Sequence, residues 1–270
     1  MARIKWNAPE DRRYEYGIDQ GVVYSKTAGR SAAWNGIKSV TQAPVGADVT
    51  SFYLDGEKFN QMIATEEYAA TLVAFSAPDL FFEENDGLSY YGKGLYVDSQ
   101  DRQMFDLSYR TQVGDGRGAG QSYKIHLVYN ALAAPTGRAY SSEAGAPSPI
   151  EHTWSLTTMP IRMTGKNPSA HYIIDSRRVS KYIMAQIEDI LYGTVSKNPR
   201  MPTADELIKF FKNAQVVTVT DNKDGTWTAQ GPDDIIQFIS WTEFIIDYDL
   251  AQFLPGSDDT YTLSTSATAE

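Results

Sequence analysis

Phe105, Leu107, Tyr109, Thr111 and Val113 alternate with Asp106, Ser108, Arg110 and Gln112, a strict period of two that predicts a β-strand with unlike faces. Beyond a glycine-rich link over residues 114–120 the period resumes. Tyr123, Ile125, Leu127, Tyr129 and Ala131 now alternate with Ser122, Lys124, His126, Val128 and Asn130. As a hairpin, the two strands would present one apolar and one mostly polar face. Residues 13–24 carry the same signal, with Tyr14, Tyr16, Ile18, Val22 and Tyr24 opposite Arg13, Glu15 and Asp19, which predicts a strand with a charged outer face.

Residues 34–40, 52–58 and 68–78 read as strand, Asp-Gly turn and strand. Asp55-Gly56 supplies the positive φ angles of a tight hairpin turn, and the flanking aromatic and β-branched residues suit a half-buried pleated surface. Residues 44–49 and 58–67 read as loops, the second long for a hairpin protein. Further strands are expected at residues 153–163, with Trp154 and Leu156 toward the core, and at 171–174. Residues 135–149, rich in Pro, Gly, Ser and Ala, read as an exposed loop.

The period changes after residue 175. Asp175 or Ser176 can cap a helix to about Tyr192, where Val179, Ile183, Ile187 and Ile190 or Leu191 form one apolar stripe and Gly193 is the stop. Thr203-Ala204-Asp205-Glu206 is a capping box opening a second short helix through Leu207, Phe210 and Phe211. Short strands return at 216–220, 226–230, 235–240 and 242–247, around an Asp224-Gly225 turn. The fold class is therefore mainly β (α+β), a β-sandwich with a flanking helix. Its domain spans residues 12–255, between a polar arm at 1–11 and a Ser-, Thr- and Asp-rich tail at 256–270, with 203–250 a possible helical and β C-terminal part.

The chain has 270 residues, with a formal net charge of −10, 17 Tyr, 11 Phe and no Cys. The acidity argues against DNA binding through phosphate neutralisation, and the absence of Cys excludes disulfides and thiolate metal sites. No stretch reads as a signal peptide or a bilayer span, so synthesis in a cytoplasm and no membrane insertion are expected. His126, His152 and His171 have no metal-ligand spacing and read as structural or solvent-facing, with His126 on a polar strand face where a neighbouring subunit could touch it. The glycine-rich link lacks a Lys-Ser/Thr ending, the acidic turn at 221–225 lacks the distal Glu of a calcium loop, and the Glu83-Glu84-Asn85-Asp86 run reads as a solvated loop. No complete catalytic constellation stands out. A non-enzymatic protein without cofactor is expected.

The order of words along the chain resembles the major tail tube proteins of long, non-contractile (siphovirus-type) bacteriophage tails. The resemblance lies in Trp34-Asn35-Gly36-Ile37, in Tyr53-Leu54-Asp55-Gly56-Glu57-Lys58, and in Ala70-Thr71-Leu72-Val73-Ala74-Phe75-Ser76-Ala77-Pro78. It continues through residues 187–194, 199–207 and 224–232, covering roughly residues 12–250. It implies a structural virion protein whose homohexameric rings close an inner β-barrel and stack into a hollow tube. It also implies tape measure, tail terminator and distal tail proteins as partners, and double-stranded DNA passing through without specific binding. On that reading Glu15 and Asp19 are the first candidates for an acidic lumen wall, with Asp106, Ser108 and Gln112 the second. Asn60, Gln61, Glu66 and Glu67 are candidates for contact with the next ring. The alternatives are a tail terminator or connector ring and, from another class, an extracellular carbohydrate-binding β-sandwich suggested by the Tyr and Trp content.

Overall fold

The computed structural model describes residues 13–92, 94–114, 122–138, 140, 142, 149–179 and 181–213, and beyond these the backbone of five short strands. In chain order the elements are β1 (Tyr14–Ser25), β2 (Ser31–Trp34), β3 (Ile37–Gln42), β4 (Val49–Leu54), β5 (Glu57–Ile63), β6 (Ala69–Ala74) and α1 (Asp79–Glu84). Then follow β7 (Ser89–Gly92), β8 (Leu95–Val97), β9 (Phe105–Gly114), β10 (Ser122–Gly137), β11 (His152–Thr158), β12 (Ile161–Met163), β13 (Lys166–Ser169) and β14 (His171–Asp175). A 3₁₀ turn (Ser176–Arg178) leads into α2 (Lys181–Tyr192) and α3 (Ala204–Asn213). The chain returns to sheet in β15 (Val216–Asp221), β16 (Trp227–Gln230), β17 (Ile236–Ser240), β18 (Glu243–Ile246) and β19 (Gln252–Phe253). The protein is mainly β, as the alternation predicts.

Its principal sheet has eight strands in the order β2-β1-β9-β10-β11-β6-β3, with β14 also paired to β10. The two ends of this order, β2 and β3, are consecutive and separated only by Asn35 and Gly36, so the sheet curls round toward closure. Gly36 sits in that connection, against Ser76. A Cβ there would lie 2.6 Å from Ser76 O and 2.8 Å from Ser76 N, while Gly36 O accepts from Phe75 N at 2.8 Å. We expect Gly36→Ala to destabilise the fold by about 1–3 kcal/mol through overpacking, read as a lowered urea midpoint with unchanged slope.

Inside the curl lies a core of Val23, Trp34, Leu72, Phe81, Phe105, Leu107, Val128, Trp154 and Leu156, drawn from strands all round the sheet and from α1. Phe81 is its hub, with ring centroids 4.4 Å from Trp34, 5.1 Å from Trp154 and 5.2 Å from Phe105. A second core on the outer face joins Val22, Tyr24, Ile125, Leu127, Tyr129 and Ile174 to Ile183, Ile187 and Leu191 of α2 and Leu207 of α3. The predicted apolar stripe of the first helix is therefore the face it buries. Gly193 follows α2 with φ of 80°, a left-handed stop, and Thr203 and Glu206 exchange the two capping-box bonds that open α3. Asp175 caps the 3₁₀ turn, and α2 begins only at Lys181.

Two expectations change. The β9–β10 hairpin does not have one apolar face, because its register pairs Leu127 with Ser108, Ile125 with Arg110 and His126 with Tyr109. The apolar positions of β9 point into the curl and those of β10 point outward, so both faces are covered. A left-handed Asn130 (φ 50°) and a register shift between Val128 and Ala131 then move Ala131 and Ala133 of β10 to the inner side. The expected loop at 58–67 is also mostly strand: β5 pairs with β4 across Asp55 (φ 52°) and Gly56 (φ 83°), as the Asp-Gly signal demands. The expected arm at 1–11, the tail at 256–270, the link at 115–120 and the turn at 222–225 lie outside the described residues.

Candidate assembly surface

Glu15 and Asp19, four residues apart, would share a face of an ideal strand. They do not, because β1 carries register shifts on either side of Asp19, at positive-φ Gly17 (65°) and Gln20 (47°). Three residues of β1 span two of β9 at each shift, and one extra residue reverses the side-chain direction. Glu15 therefore lies on the side of Thr111, Lys124 and His126. Asp19 lies on the opposite side, with Arg110 and Gln112.

Each carboxylate is engaged within the chain. Glu15 accepts from Lys124 Nζ at 2.5 Å and from Thr111 Oγ1 at 2.5 Å. Burial opposes its ionisation, but those two partners outweigh burial and hold its carboxyl below the ordinary value. Asp19 accepts a bidentate pair from Arg110, Nε at 2.7 Å and Nη2 at 3.0 Å, and a third bond from Gln112 Nε2 at 2.7 Å. The Arg110 guanidinium is the main reason its carboxyl is depressed. Both remain partly solvent-accessible, so either could still line an aqueous wall, but as compensated pairs on two different faces.

Asp106 and Ser108 are removed from the candidate wall. They are 6% and 0% exposed, on the sheet face that α2 covers. Ser108 Oγ meets Tyr24 Oη at 3.1 Å, and Tyr24 Oη donates to Leu191 O at 2.8 Å, tying β1 and β9 to the helix end. Asp106 accepts from Asn130 N at 2.7 Å and pairs with Lys26 Nζ at 3.1 Å, holding the bend of β10, and burial raises its carboxyl. Alternation with apolar Phe105 and Leu107 made it look solvent-facing; the helix laid across that face does not show in the period of β9.

The acidic run at 83–86 is not a solvated loop either. Asn85 and Asp86 are buried, and Asp86 Oδ1 accepts from Trp154 Nε1 at 2.6 Å while Oδ2 accepts from Arg138. His126 is buried among Glu15, Thr111 and His171 and not offered to a neighbour, and His152 stacks on Trp154. Among the described residues no three His, Asp or Glu side chains gather as metal ligands, and no helix is long and apolar enough to cross a membrane.

The surface that departs most from an ordinary exterior is the β4–β5 hairpin. Among the described residues it pairs only with itself, yet Phe52, Tyr53, Leu54, Phe59 and Met62 are 47–73% exposed. Asn60 and Gln61, singled out in the sequence, are exposed on this hairpin. Gln61 N donates to Asn60 Oδ1 at 2.7 Å, and Lys58 Nζ donates to Gln61 Oε1 at 2.9 Å. Glu66 and Glu67 are exposed at its base, where the Glu67 and Val45 backbones exchange two bonds. Sequence alone singled out polar residues of this segment and not, as contact residues, its exposed apolar Phe52, Phe59 and Met62. A second hairpin, β7–β8, leaves Tyr90, Tyr91, Leu95, Tyr96 and Val97 exposed. The first hairpin precedes the N-terminal end of β6 and the second follows its C-terminal end through α1.

Neither a protein-family model nor a curated protein matches the sequence. Among solved structures, the chain is similar to one from the six-fold symmetrised baseplate of the anti-feeding prophage, with a TM-score of 0.33 and 10% identity over 58% of this chain and 93% of that one. It is similar to a chain of the sheath-tube complex of an extracellular contractile injection system, PVC, in the extended state, with a TM-score of 0.27 and 15% identity over 58% of this chain and 88% of that one. A third is from the tube-terminating cap of the anti-feeding prophage, with a TM-score of 0.27 and 13% identity over 65% and 96% of the two chains.

Proposed function

We propose that this chain is a non-enzymatic structural subunit of a phage tail, a tube protein that forms hexameric rings and stacks them into a hollow conduit for DNA. The observation that carries the reading is the β4–β5 hairpin, whose large apolar side chains stand in solvent on an element that pairs with no other strand among the described residues. An isolated two-stranded hairpin is marginal in water, and a contiguous exposed apolar surface marks a contact site. Apolar hairpins precede β6 and follow it through α1, so one copy carries two unlike exposed apolar surfaces. That arrangement suits a heterologous, head-to-tail contact, which propagates where a two-fold contact would close.

The sequence resemblance to tail tube proteins supports the same reading independently, through the Trp34 strand, the Asp55-Gly56 turn and the strand that is now β6. A net charge of −10 suits a wall that must not retain phosphate. Glu15 and Asp19 contribute to such a wall only as ion-paired groups.

Sedimentation velocity over a concentration series tests this. The expected result is a species of six chains that gives way to larger multiples as concentration rises. A monomer at every concentration overturns it, and a ring that never grows favours the terminator or connector alternative.

A further inference from the structure

Four aromatic rings form a chain beside the Glu15–Lys124 pair. Tyr109 and His126 stack with centroids 4.6 Å apart and planes 4° from parallel, His126 and His171 lie edge to edge with centroids 5.3 Å apart and planes within 12°, and His171 and Tyr68 are 4.5 Å apart. Within it, His126 Nδ1 and His171 Nε2 are 3.1 Å apart, a distance that accommodates a single hydrogen. On its other side His126 Nε2 faces Glu15 Oε1 at 3.3 Å and Thr111 Oγ1 at 3.1 Å. Those acceptors place the His126 hydrogen on Nε2. Nδ1 then carries the lone pair and accepts from His171 Nε2–H.

Protonating both rings puts two N–H groups into that gap and two positive charges side by side. The contact must open. His126 is on β10 and His171 on β14, and β10 is the strand to which β14 pairs. β14 continues through the 3₁₀ turn into α2, the lid of the outer core.

We propose that the His126–His171 pair is an acid-sensitive latch that holds β14 against β10 when neutral and releases it when protonated. Burial keeps both imidazoles neutral in the folded chain. It pushes His171 down to about 4, helped by His126 beside it, and lowers His126 despite the opposing pull of Glu15. An opened segment takes up protons near the ordinary value of 6.5. The latch is therefore complete above that pH and weakens as pH falls from 6.5 toward 4, by on the order of a hundredfold in the opening equilibrium.

Of the titratable groups beside the pair, the Glu15 carboxyl on β1 is held below its ordinary value and the Tyr68 and Tyr109 hydroxyls are raised by burial; Lys124 on β10 is the cation beside His126, and Asp175 and Arg177, further along the chain, pair with each other. Between pH 7 and 5 the response belongs to the imidazoles.

The test is a histidine side-chain NMR titration of the full chain combined with amide exchange at Tyr172, Ile173 and Ile174, corrected for the intrinsic pH dependence of exchange. His171 should titrate near 4 and His126 below 6.5, and protection along β14 should fall roughly tenfold or more from pH 7 to 5. His171→Phe, which keeps a ring on Tyr68, should abolish that fall. Unchanged β14 protection, two imidazoles titrating near 6.5, or a His171→Phe protein that retains the full pH response would each overturn the proposal. If the variant does not fold, the wild-type titration and exchange decide alone.

Discussion

Tyr53→Asp combined with Phe59→Asp should abolish ring stacking while leaving the circular dichroism spectrum and thermal midpoint of the subunit unchanged. Both side chains are largely in solvent in the single chain, 68% and 73% exposed, so their removal costs the subunit almost no burial. In a stacked contact each would contribute about 1.5–3 kcal/mol on burial, and the introduced carboxylates would have to be desolvated as well. A loss of about 4–8 kcal/mol in the contact corresponds to a weakening of roughly 10³–10⁶-fold. Sedimentation reads this directly, with the double variant staying at the single-ring or subunit species where the wild type grows. A variant that assembles at wild-type concentrations would show that the hairpin is not the contact.

Trp154→Ala should produce the largest loss of subunit stability, about 3–5 kcal/mol in chemical denaturation. Trp154 is fully buried, packs against Phe81 and Trp34, and donates Nε1–H to the buried Asp86. Truncation leaves both a cavity and an Asp86 oxygen without its donor. Against a total stability of about 5–15 kcal/mol, that is enough to unfold a substantial share of molecules. Trp154→Phe separates the two effects: it refills most of the cavity, and its residual cost of about 1–3 kcal/mol reports the lost bond to Asp86. Equal costs for Ala and Phe would place the energy in the hydrogen bond instead of in packing.

Local features with local causes were legible. The Asp55-Gly56 turn, the Thr203/Glu206 capping box, the Gly193 stop and the apolar stripe of α2 each follow from residues within a few positions of one another. Alternation in β9 and β10 identified both as strands. It could not say that Leu127 lies opposite Ser108, because register is decided by pairing between strands and not within either one. The separation of Glu15 from Asp19 has the same origin. Gly17 was the one visible hint of a bulge, since glycine inside a strand often marks one.

Burial of polar residues was the least legible property. Asp86 looked solvated because it follows two glutamates, and only the fold brings Trp154 and Arg138 to it. Asp106 and Ser108 looked exposed because their strand neighbours are apolar, and the covering helix comes from residues 181–192. Asn60 and Gln61, candidates for contact with the next ring, lie on the exposed β4–β5 hairpin, whose apolar residues follow from the strand pairing of β4 with β5 in a stretch whose polarity suggested a loop.

Negative-stain electron microscopy of the purified protein across a concentration series tests the central claim most directly. Stacked rings or hollow tubes with six-fold end views, lengthening as concentration rises, are the predicted result. A dispersed subunit at every concentration, with neither rings nor tubes, would contradict it.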